Sequence, residues 1–347
     1  MPHAHPSEVT MGRTVLVTGV SRHIGARVAS ALAADPDVHR VIGVDTAPPV
    51  SSTAPPLGRV EFVRLDLRGL DLAQLIADSD IDTVVHLGLL SDPAGSRPAM
   101  REYNIIGTMQ VLAACQRSRT VRRVVVRSTT AVYGSSPASP AVCTETTEPA
   151  DSPHHGYERD AIEVEGYARG FARRRPDVAT TILRFAPMLG PRVETPLTRY
   201  FSLPVLPTVL GFDPRLQFVH EDDVVDVLCR MAREELRGVF NVAGDGVLLL
   251  SQCARRAGKP VLPLPSAAFH LLGTAVRSTG LIDFSPEQIA LLSHGRVADT
   301  TALAAATGWR PKYGTAAAFD DFIRARGLGS DLPARVFDLA ADLIRGR

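Results

Sequence analysis

The chain has 347 residues, and its 38 lysines and arginines nearly balance its 37 aspartates and glutamates. This balance excludes the broad positive field of nucleic-acid-binding proteins and gives no attraction to an acidic membrane surface. The four cysteines form no C-x-x-C pair, so they indicate no zinc site and are typical of reduced thiols in the cytoplasm. No apolar run reaches the roughly 18 residues of a membrane span. Composition therefore predicts a cytoplasmic globular protein without a nucleic-acid or membrane partner.

Residues 1–12 are polar and are predicted to form a flexible tail without a signal peptide. The first predicted element follows at once, because the apolar, β-branched run Val15–Val17 is typical of a buried strand. A turn from Gly19 to Gly25 then leads into Ile24–Leu32, where apolar residues recur at helical spacing. Strand, glycine turn and helix is the arrangement that directs backbone N–H groups and a helix N-terminus at a phosphate.

The glycine turn departs from the usual dinucleotide-binding pattern at one position. The middle glycine of G-x-G-x-x-G or G-x-x-G-x-x-G is missing, and Arg22 or His23 stands there, depending on the alignment. A side chain at this position leans over a bound pyrophosphate or displaces it. The turn residues predicted to contact a cofactor are Gly19, Ser21, Arg22, His23, Ile24 and Gly25.

A second apolar strand, Val41–Val44, ends at Asp45, about 20 residues after Gly25. This is the spacing at which a dinucleotide-binding fold places the carboxylate that accepts hydrogen bonds from the adenosine ribose. A carboxylate there repels a 2′-phosphate, so Asp45 favours NAD over NADP as the cofactor. Residues 46–58 are rich in proline and serine and are predicted to form a surface loop.

Three more strands are predicted at Val60–Arg64, Thr83–Gly88 and Val124–Arg127, and a long helix from Pro98 to Gln116 precedes the last of them. Strands and helices thus alternate from residue 14 to residue 127 without a signal for an antiparallel hairpin. This alternation predicts a doubly wound parallel sheet, an α/β fold of the Rossmann type.

The ends of the third and fourth strands carry further candidate residues. Asp66, followed by Leu67, either contacts an adenine or caps the helix that begins near Leu70, and the sequence leaves both possibilities open. Gly88 allows a cofactor to approach the end of the fourth strand closely. His86, within that strand, is interpreted as a satisfied core histidine.

The second half of the chain is predicted to add a smaller C-terminal lobe. The run His220–Asp223 is interpreted as a helix start, because acidic residues in a first turn are favoured by the helix dipole, and no metal site is predicted. Residues 331–347 predict an amphipathic helix that packs on the domain or on a partner. The predicted domains are a dinucleotide-binding domain, 13–191 plus 218–246, and a substrate lobe, 192–217 plus 247–330.

The stretch Ser128–Gly134, with the sequence Ser-Thr-Thr-Ala-Val-Tyr-Gly, directly follows the fifth strand. Together with the glycine turn it resembles the extended short-chain dehydrogenase/reductases, in particular the NAD-dependent epimerase/dehydratase family that includes UDP-galactose 4-epimerase. More closely, the chain is similar to an actinobacterial subgroup of UDP-glucose 4-epimerase-like proteins. The likeness extends over about residues 13–320 and includes, in order, His86-Leu87-Gly88, Asn104–Thr108, Ile182–Arg184 before Gly190-Pro191, Phe218–Val224 and Phe240–Gly244.

The resemblance implies a hydride-transfer site in which Thr129 hydrogen-bonds the reacting hydroxyl and Tyr157 is the base. In the family, a lysine four residues after this tyrosine lowers its pKa and holds the nicotinamide ribose, but this chain has Ala161 there. A phenol with a pKa near 10 stays protonated at pH 7 without a nearby cation. Arg159, two residues after Tyr157, lies well round the helix from it. Tyr157 as a core tyrosine, and Thr129 as a residue that only holds a turn, therefore stay open.

The resemblance also implies contacts with a cofactor, a substrate and a second chain. Pro187 stands where the family has an asparagine that positions a nucleotide sugar, and proline has no donor to replace it. The helices Pro98–Gln116 and Tyr157–Arg174 are expected to pair with those of a second copy in a homodimer. Beyond the turn, cofactor contacts are expected from Asp45, Asp66, Leu67, Leu87, Gly88, Asn104, Ser128, Tyr157 and Phe185. Substrate contacts are expected from Thr130, Arg192, Arg199 and Arg215.

Three functions agree with these residues. The first is an NAD-dependent epimerase, dehydratase or dehydrogenase that acts on a nucleotide-linked or otherwise polyhydroxylated small molecule. The second is a redox-silent dinucleotide-binding protein, a sensor or a partner-binding protein, which the altered turn and Ala161 favour. The third is an NADP-dependent reductase, because Thr18–Gly25 also resembles the T-G-x-x-x-G-x-G turn of the single-domain branch, with Arg22 where NADP-preferring members often have a basic residue. Asp45 argues against the third function.

Overall fold

A seven-stranded sheet, parallel throughout, forms the centre of the protein. The computed structural model describes residues 12–50, 55–90, 97–148, 156–266, 268 and 285–328. In chain order the strands are β1 (Arg13–Thr18), β2 (Val38–Asp45), β3 (Glu61–Arg64), β4 (Thr83–His86), β5 (Arg123–Thr129), β6 (Ala179–Phe185) and β7 (Gly238–Val242). Their spatial order is β3-β2-β1-β4-β5-β6-β7. This confirms the predicted doubly wound sheet and places a crevice at the carboxyl ends of β1 and β4, where the winding reverses.

Helices cover both faces of the sheet. The helices described are α1 (His23–Ala34), α2 (Asp71–Asp78), α3 (Arg97–Glu102), α4 (Thr108–Arg117), α5 (Gly156–Arg174), α6 (Pro196–Phe201), α7 (Glu221–Arg233), α8 (Leu250–Arg256), α9 (Pro286–His294), α10 (Thr301–Thr307) and α11 (Thr315–Ala325). The helices α1 and α7 pack against each other on one face, whereas α2, α4 and α5 pack in a row on the other. Side chains alternate along β1, so Val15 and Val17 join one core and Leu16 joins the other. Because β1 is buried on both faces of the sheet, its apolar residues follow one another instead of alternating with polar ones.

The predicted helix Pro98–Gln116 is present, but a turn of π-helix from Tyr103 to Gly107 interrupts it between α3 and α4. The side chain of Asn104, within this turn, is fully buried and bonds to other parts of the chain. Such a bulge inserts one residue into the helical ladder and is common at functional sites. Periodicity predicts the extent of a helix but not this local change in its winding.

The carboxyl ends of β4 and β5, which border the crevice, differ from their predicted positions. The strand β5 continues past Arg127 to Thr129, because Ser128 and Thr129 pair with the last two residues of β6. The strand β4 ends at His86 instead of Gly88, and the backbone of Gly88 packs against the His86 ring. A Cβ on Gly88 would lie 2.6 Å from Cε1 of that ring, so this close approach requires glycine.

The remaining elements form a smaller lobe beside the sheet. Its core is a cluster of aromatic rings in which Phe319 packs edge-on against Phe201 and stacks on Phe218. Short strands join the lobe in pairs: Leu206–Val209 with Val261–Leu264, Arg215–Leu216 with Leu248–Leu249, and Met188–Leu189 with Val219–His220. The predicted domain boundaries stay a prediction. The predicted helix at 331–347 and nearly all of the predicted tail lie outside the described residues.

The two helical stretches that are expected to form a dimer interface, α3 to α4 and α5, pack side by side. Ile106, Met109 and Tyr167 are exposed on these stretches. Exposed apolar side chains of this kind suit a protein interface, and the homodimer stays a prediction. Within the described ranges, no helix is both long enough and apolar enough to cross a membrane.

Candidate functional site

The turn between β1 and α1 has the tight geometry that its two glycines predict. Gly19 has a φ of +79°, a conformation that side chains rarely adopt. A Cβ on Gly25 would lie 2.7 Å from the carbonyl carbon of Gly19 and closer still to its oxygen. The first residues of α1 include no acidic side chain, and Arg22 at the N-cap makes no side-chain cap. The N–H groups at this helix start are therefore open to an anion.

The side chains at the position of the missing middle glycine point in different directions. Arg22 is exposed. His23 is partly buried, and its Nε2 lies 3.1 Å from Oε1 of Glu221 on α7. Glu221 also accepts a hydrogen bond from Arg27, so the start of α1 is anchored to α7. Of the two side chains, only that of Arg22 is exposed, so it can turn toward a bound ligand.

Asp45 and Ser21, both predicted to contact a cofactor, are joined in the structure. The carboxylate of Asp45 is buried, and its Oδ2 accepts hydrogen bonds from the Ser21 backbone N–H at 3.0 Å and the Ser21 hydroxyl at 2.6 Å. Its Oδ1 accepts one from the Thr46 N–H at 2.8 Å. The Thr46 hydroxyl makes a longer contact with Oδ1 at 3.4 Å. Since a carboxylate has about four lone-pair sites, these bonds fix its orientation, and a ligand hydroxyl would take the place of the long Thr46 contact.

Asn104 and His86 form hydrogen bonds between segments that surround the crevice. The amide of Asn104 accepts from the Leu90 N–H at 2.8 Å and donates to Oδ2 of Asp160 at 3.0 Å. It therefore fixes the chain after β4 against α5, and its amide is directed at protein groups. His86 bridges the hydroxyls of Thr18 and Thr108 at 2.9 Å each, and burial lowers its pKa to about 4. This agrees with its interpretation as a neutral core histidine.

Asp66 does not cap the helix that follows it. Its carboxylate pairs with Arg68, whose Nη2 lies 2.6 Å from Oδ2, and this pairing lowers the pKa of Asp66. The helix α2 begins at Asp71 after Leu70, without a side-chain cap. The capping alternative is therefore wrong, because the backbone N–H and the guanidinium of Arg68 occupy both oxygens of this carboxylate. Leu67 is fully buried in the core, and Leu87 is nearly so.

Thr129 and Tyr157, the two predicted catalytic residues, meet at the end of β5. Their hydroxyl groups are hydrogen-bonded to each other, and both side chains line a cavity of about 590 Å³. The Oγ1 of Thr129 also accepts from the Ala131 N–H at 3.2 Å and caps the turn of 3₁₀-helix Thr130–Tyr133. Thr129 thus holds the turn and contacts Tyr157 at the same time. Thr130 is buried in that turn and does not line the cavity.

Ser128 and Phe185, predicted as cofactor contacts, lie on the same cavity wall. The Ser128 hydroxyl donates to Oε1 of Glu165 at 2.6 Å, so it is already satisfied inside the protein. Phe185 is almost completely buried. Pro187 also lines the cavity, so the position that lacks the expected asparagine is at the site.

Three charged residues that were not predicted from the sequence also line this cavity. Arg127 comes from β5, Glu158 from the first turn of α5 and Arg296 from the segment after α9. The only sequence signal for Arg127 was a charge that interrupts the apolar run of β5. The position of Arg296 has no local signal, because it is brought to the cavity by the fold. Among the described residues, Arg97 and Glu287 are the other charged side chains that line the cavity.

The three arginines predicted to contact a substrate do not line this cavity in the part of the chain that the structure describes. Arg192 and Arg215 are exposed, and Arg215 donates to the carbonyl oxygen of Ala141 at 2.8 Å. Arg199 is partly buried on α6. These three arginines were predicted from their position in the sequence alone, which does not determine whether a side chain faces the cavity.

The electrostatics around Tyr157 favour its protonated form. Burial raises the pKa of Tyr157, and Asp160 on the same helix adds to the increase. The charges of Arg127 and Arg296 and the hydrogen bond from Thr129 oppose the increase without reversing it. Ala161, at the position of the missing lysine, is completely buried and contributes no charge. Tyr157 therefore keeps its proton at neutral pH in the absence of ligands.

Glu158 is a second titratable group in the cavity. The residue is 9% exposed, and burial raises its pKa to about 7. The guanidinium of Arg296, 3.7 Å away, opposes this increase in pKa, and the nearby Glu287 adds to it. Since its carboxyl group changes charge near neutral pH, Glu158 has the titration behaviour of a group that exchanges protons with a substrate.

Replacing Glu158 by glutamine is expected to remove a pH dependence of stability. Between the ordinary pKa of 4.5 and the raised pKa of about 7, the folded chain binds more protons at Glu158 than the unfolded chain does. The free energy of unfolding of the wild type therefore falls through this range as pH rises, by up to about 3 kcal/mol, and Glu158→Gln does not show this fall. Denaturant titrations at several pH values measure it. The exposed Glu148→Gln is the control, and an equal pH dependence in Glu158→Gln and wild type contradicts the prediction.

The run His220–Asp223 begins α7, as interpreted from the sequence. The Nδ1 of His220 accepts from the Asp222 N–H at 3.1 Å, and its Nε2 lies 3.1 Å from Oδ2 of Asp321. Among the residues described, no group of three or more histidine, cysteine or carboxylate side chains is placed to hold a metal ion.

Comparisons with known proteins place this geometry in a family. The family model of NAD dependent epimerases/dehydratases matches residues 15–243. An uncharacterised protein of Mycobacterium tuberculosis is 43% identical over 318 residues, which cover 91% of this chain and 85% of that protein. The UDP-glucose 4-epimerase of Mycolicibacterium smegmatis is 27% identical over 320 residues, which cover 87% of this chain and 94% of that protein.

A solved structure extends the likeness to the fold. The UDP-glucuronic acid 4-epimerase of Bacillus cereus, in complex with NAD, has a TM-score of 0.66 and 19% identity, with 90% of this chain and 98% of that chain covered. At this identity the likeness shows a shared fold. The family match covers well over half of the chain and includes all seven strands of the sheet except Arg13 and Thr14 at the start of β1. The chain therefore belongs to the NAD-dependent epimerase/dehydratase family.

Proposed function

We propose that this protein binds NAD and interconverts a hydroxyl and a carbonyl group on a nucleotide-linked or otherwise polyhydroxylated substrate. One observation carries the proposal: the hydrogen-bonded side chains of Thr129 and Tyr157 line a cavity of about 590 Å³ at the carboxyl edge of the sheet. The turn from Gly19 to Gly25 lies at the same edge, since it follows the carboxyl end of β1. Ligands of doubly wound folds bind in this crevice.

The residues at the crevice fit a dinucleotide. The first turn of α1 has no acidic residue of its own and no side-chain cap on its N–H groups, which suits a pyrophosphate. The close packing of Gly25 on Gly19 leaves no room for a side chain between this helix start and β1. Asp45 is oriented by Ser21 and Thr46 and would accept hydrogen bonds from the adenosine ribose. Its carboxylate would repel a 2′-phosphate, which supports NAD over NADP.

The chemistry follows from the protonated state of Tyr157. When bound, the reduced cofactor NADH would supply a hydride to a carbonyl carbon, and the oxidised form NAD⁺ would accept one from an alcohol carbon. Tyr157, which keeps its proton because burial raises its pKa, donates that proton to the substrate oxygen as a carbonyl becomes an alcohol. Thr129 hydrogen-bonds the same oxygen and fixes its position between the two hydroxyls. Reduction of a carbonyl is thus the direction for which the free site is prepared, and the reverse reaction returns the proton to Tyr157.

A second function, dinucleotide binding without chemistry, is favoured by a separate observation. The position four residues after Tyr157 is the buried Ala161, and the pKa of Tyr157 is raised and not lowered. A tyrosine in that state is a poor base for oxidation of an alcohol. Binding of NAD without turnover of any nucleotide sugar would support this alternative.

Replacing Gly25 by alanine tests the proposed cofactor site. The added Cβ overlaps the Gly19 carbonyl group, so the turn must shift, and we expect the affinity for NAD to fall by about tenfold or more. Titration calorimetry with NAD on the purified protein measures the affinity. The control is Gly166→Ala on α5, where a Cβ meets no atom within 4 Å and the affinity should not change. Failure of the wild type to bind NAD or NADP below millimolar concentration would refute the proposed function.

A further inference from the structure

The positive charge near Tyr157 comes from outside its own helix. Arg127 and Arg296 are the cations whose charges lower the pKa of Tyr157, and Arg127 has the larger influence. Asp160 on α5 has the opposite influence. The positive charge near Tyr157 therefore comes from β5 and from the segment after α9. The helix α5 does not supply it, because Ala161 stands one turn after Tyr157.

The position of Arg127 on β5 explains its influence. Arg127 and Thr129 are two residues apart on one strand, so their side chains lie on the same face of the sheet. Thr129 is hydrogen-bonded to Tyr157, and all three side chains line the same cavity. The guanidinium of Arg127 thus approaches the tyrosine from the strand side.

The surroundings of Arg127 provide no anion for it among the described residues. Its Nε is shielded from solvent without a hydrogen-bond partner, and its Nη2 contacts only the sulfur of Met188, at 3.9 Å. Burial lowers the pKa of Arg127, and the charge of Arg22 across the crevice lowers it further. Arg127 is only partly exposed, at the cavity wall, and no described carboxylate forms an ion pair with it, so no ion pair inside the protein accounts for its charge.

Arg296 differs from Arg127 because it has partners. It lies 3.7 Å from Glu158 and donates to the carbonyl oxygen of Gly134 at 3.2 Å. Its charge is therefore shared with a carboxyl group that itself ionises near neutral pH. Arg97, the third arginine on the wall, pairs with Asp160, so among the described arginines of this cavity Arg127 is the one without a carboxylate partner.

We propose, building on the proposed function, that Arg127 is a positioning residue whose charge controls the proton of the Tyr157 hydroxyl. Among the described residues, the charged groups that act on this hydroxyl are Arg127 of β5, Asp160 of α5 and Arg296 of the segment after α9. When Tyr157 gives its proton to a substrate oxygen, the phenolate that forms faces the guanidinium of Arg127. The charge of Arg127 stabilises this phenolate until it takes a proton back.

The test measures the ionisation of Tyr157 directly, in the protein without cofactor. Tyrosine labelled with ¹³C at the ring carbon that carries the hydroxyl gives an NMR signal that moves on ionisation, and Tyr157→Phe identifies the signal of Tyr157. In Arg127→Met we expect the ionisation midpoint to move to higher pH, and in Arg127→Lys, which keeps the charge, we expect it to stay near that of the wild type. An unchanged midpoint in Arg127→Met overturns the proposal.

Arg296→Met is the matched control, since it removes a cation of the same cavity that already has a carboxyl partner. A shift of the Tyr157 midpoint in Arg296→Met as large as that in Arg127→Met also overturns the proposal. Arg127→Met should fold, because it replaces an arginine without a described carboxylate partner by an apolar group of similar length, and a melting temperature at or above that of the wild type supports the absence of a structural role. Arg127→Gln provides a second neutral variant with the same expected midpoint shift.

Activity gives an independent reading. If the protein reduces a carbonyl as proposed, kcat of Arg127→Met at neutral pH should fall by about tenfold or more, and Arg127→Lys should recover most of it. The NMR midpoint does not depend on turnover, so a failure of the proposed function and a failure of the role of Arg127 are distinguishable.

Discussion

Replacing Tyr157 by phenylalanine is expected to lower kcat by about 100- to 10,000-fold, the usual contribution of a positioned acid–base group. The variant keeps the ring that fills the cavity wall and loses only the hydroxyl that is hydrogen-bonded to Thr129. NAD should still bind, because the turn before α1 and Asp45 are unchanged. Turnover of a nucleotide sugar such as UDP-glucose, followed through the nicotinamide absorbance and the sugar product, measures the effect.

The control for this prediction lies on the same helix. Tyr167 of α5 is 37% exposed and does not line the cavity, so Tyr167→Phe should keep the wild-type rate. Turnover that survives in Tyr157→Phe would contradict the prediction and direct attention to Glu158, the other titratable group beside Arg296. If the wild type binds NAD and turns over no nucleotide sugar, the redox-silent function is the better description.

The cofactor side of the site could be predicted from sequence because its signals are local. The turn from Gly19 to Gly25 and the carboxylate at Asp45 follow directly from two apolar strands, and the spacing along one chain segment determines how they meet. The structure joins Ser21 to Asp45 through two hydrogen bonds, a contact that this spacing implies. Backbone geometry close in sequence is decided by a few residues, so patterns describe it well.

The substrate side could not be predicted because distant segments build it. Arg296 reaches the cavity from the segment after α9, more than one hundred residues after Tyr157, and no local pattern marks it. Position relative to a family motif suggested Arg192 and Arg215 instead, but these side chains are exposed. Which arginine faces a cavity depends on tertiary packing, which a single sequence does not reveal.

Competition among polar partners explains two other differences. Asp66 could cap a helix or bind a cation, and it pairs with Arg68 because the guanidinium bonds to both of its oxygens at once. Asn104 was expected to face the cofactor, but its amide is satisfied by Leu90 and Asp160 inside the protein. A buried polar group takes the partners that the fold offers it, and these are known only from the structure.

Replacing Arg184 by methionine is expected to lower the free energy of unfolding by about 3–5 kcal/mol. Arg184 of β6 binds Glu165 of α5 through two hydrogen bonds, of 2.8 Å from Nε and 2.7 Å from Nη2. Their side chains are only 3% and 5% exposed. The methionine variant leaves the carboxylate of Glu165 buried without this partner, which is the costly state of a broken buried pair. Urea denaturation measures the change.

Arg40→Met is the matched control because it removes the same kind of pair from the surface. Arg40 donates to Glu61 through Nε and Nη2, at 2.9 and 2.7 Å, but these side chains are 37% and 52% exposed. Solvent screens such a pair, so its loss should cost less than about 1 kcal/mol. A stability loss in Arg184→Met no larger than that in Arg40→Met would contradict the prediction.

The double replacement of Arg184 by methionine and Glu165 by leucine separates stability from function. It removes both buried charges, so most of the lost stability should return. It also removes the acceptor of the Ser128 hydroxyl, which lies 2.6 Å from Glu165 Oε1 and directly precedes Thr129. If the buried pair serves to hold the end of β5 in place, the double variant regains stability and keeps a reduced kcat. Equal recovery of both would mean that the pair contributes to folding alone.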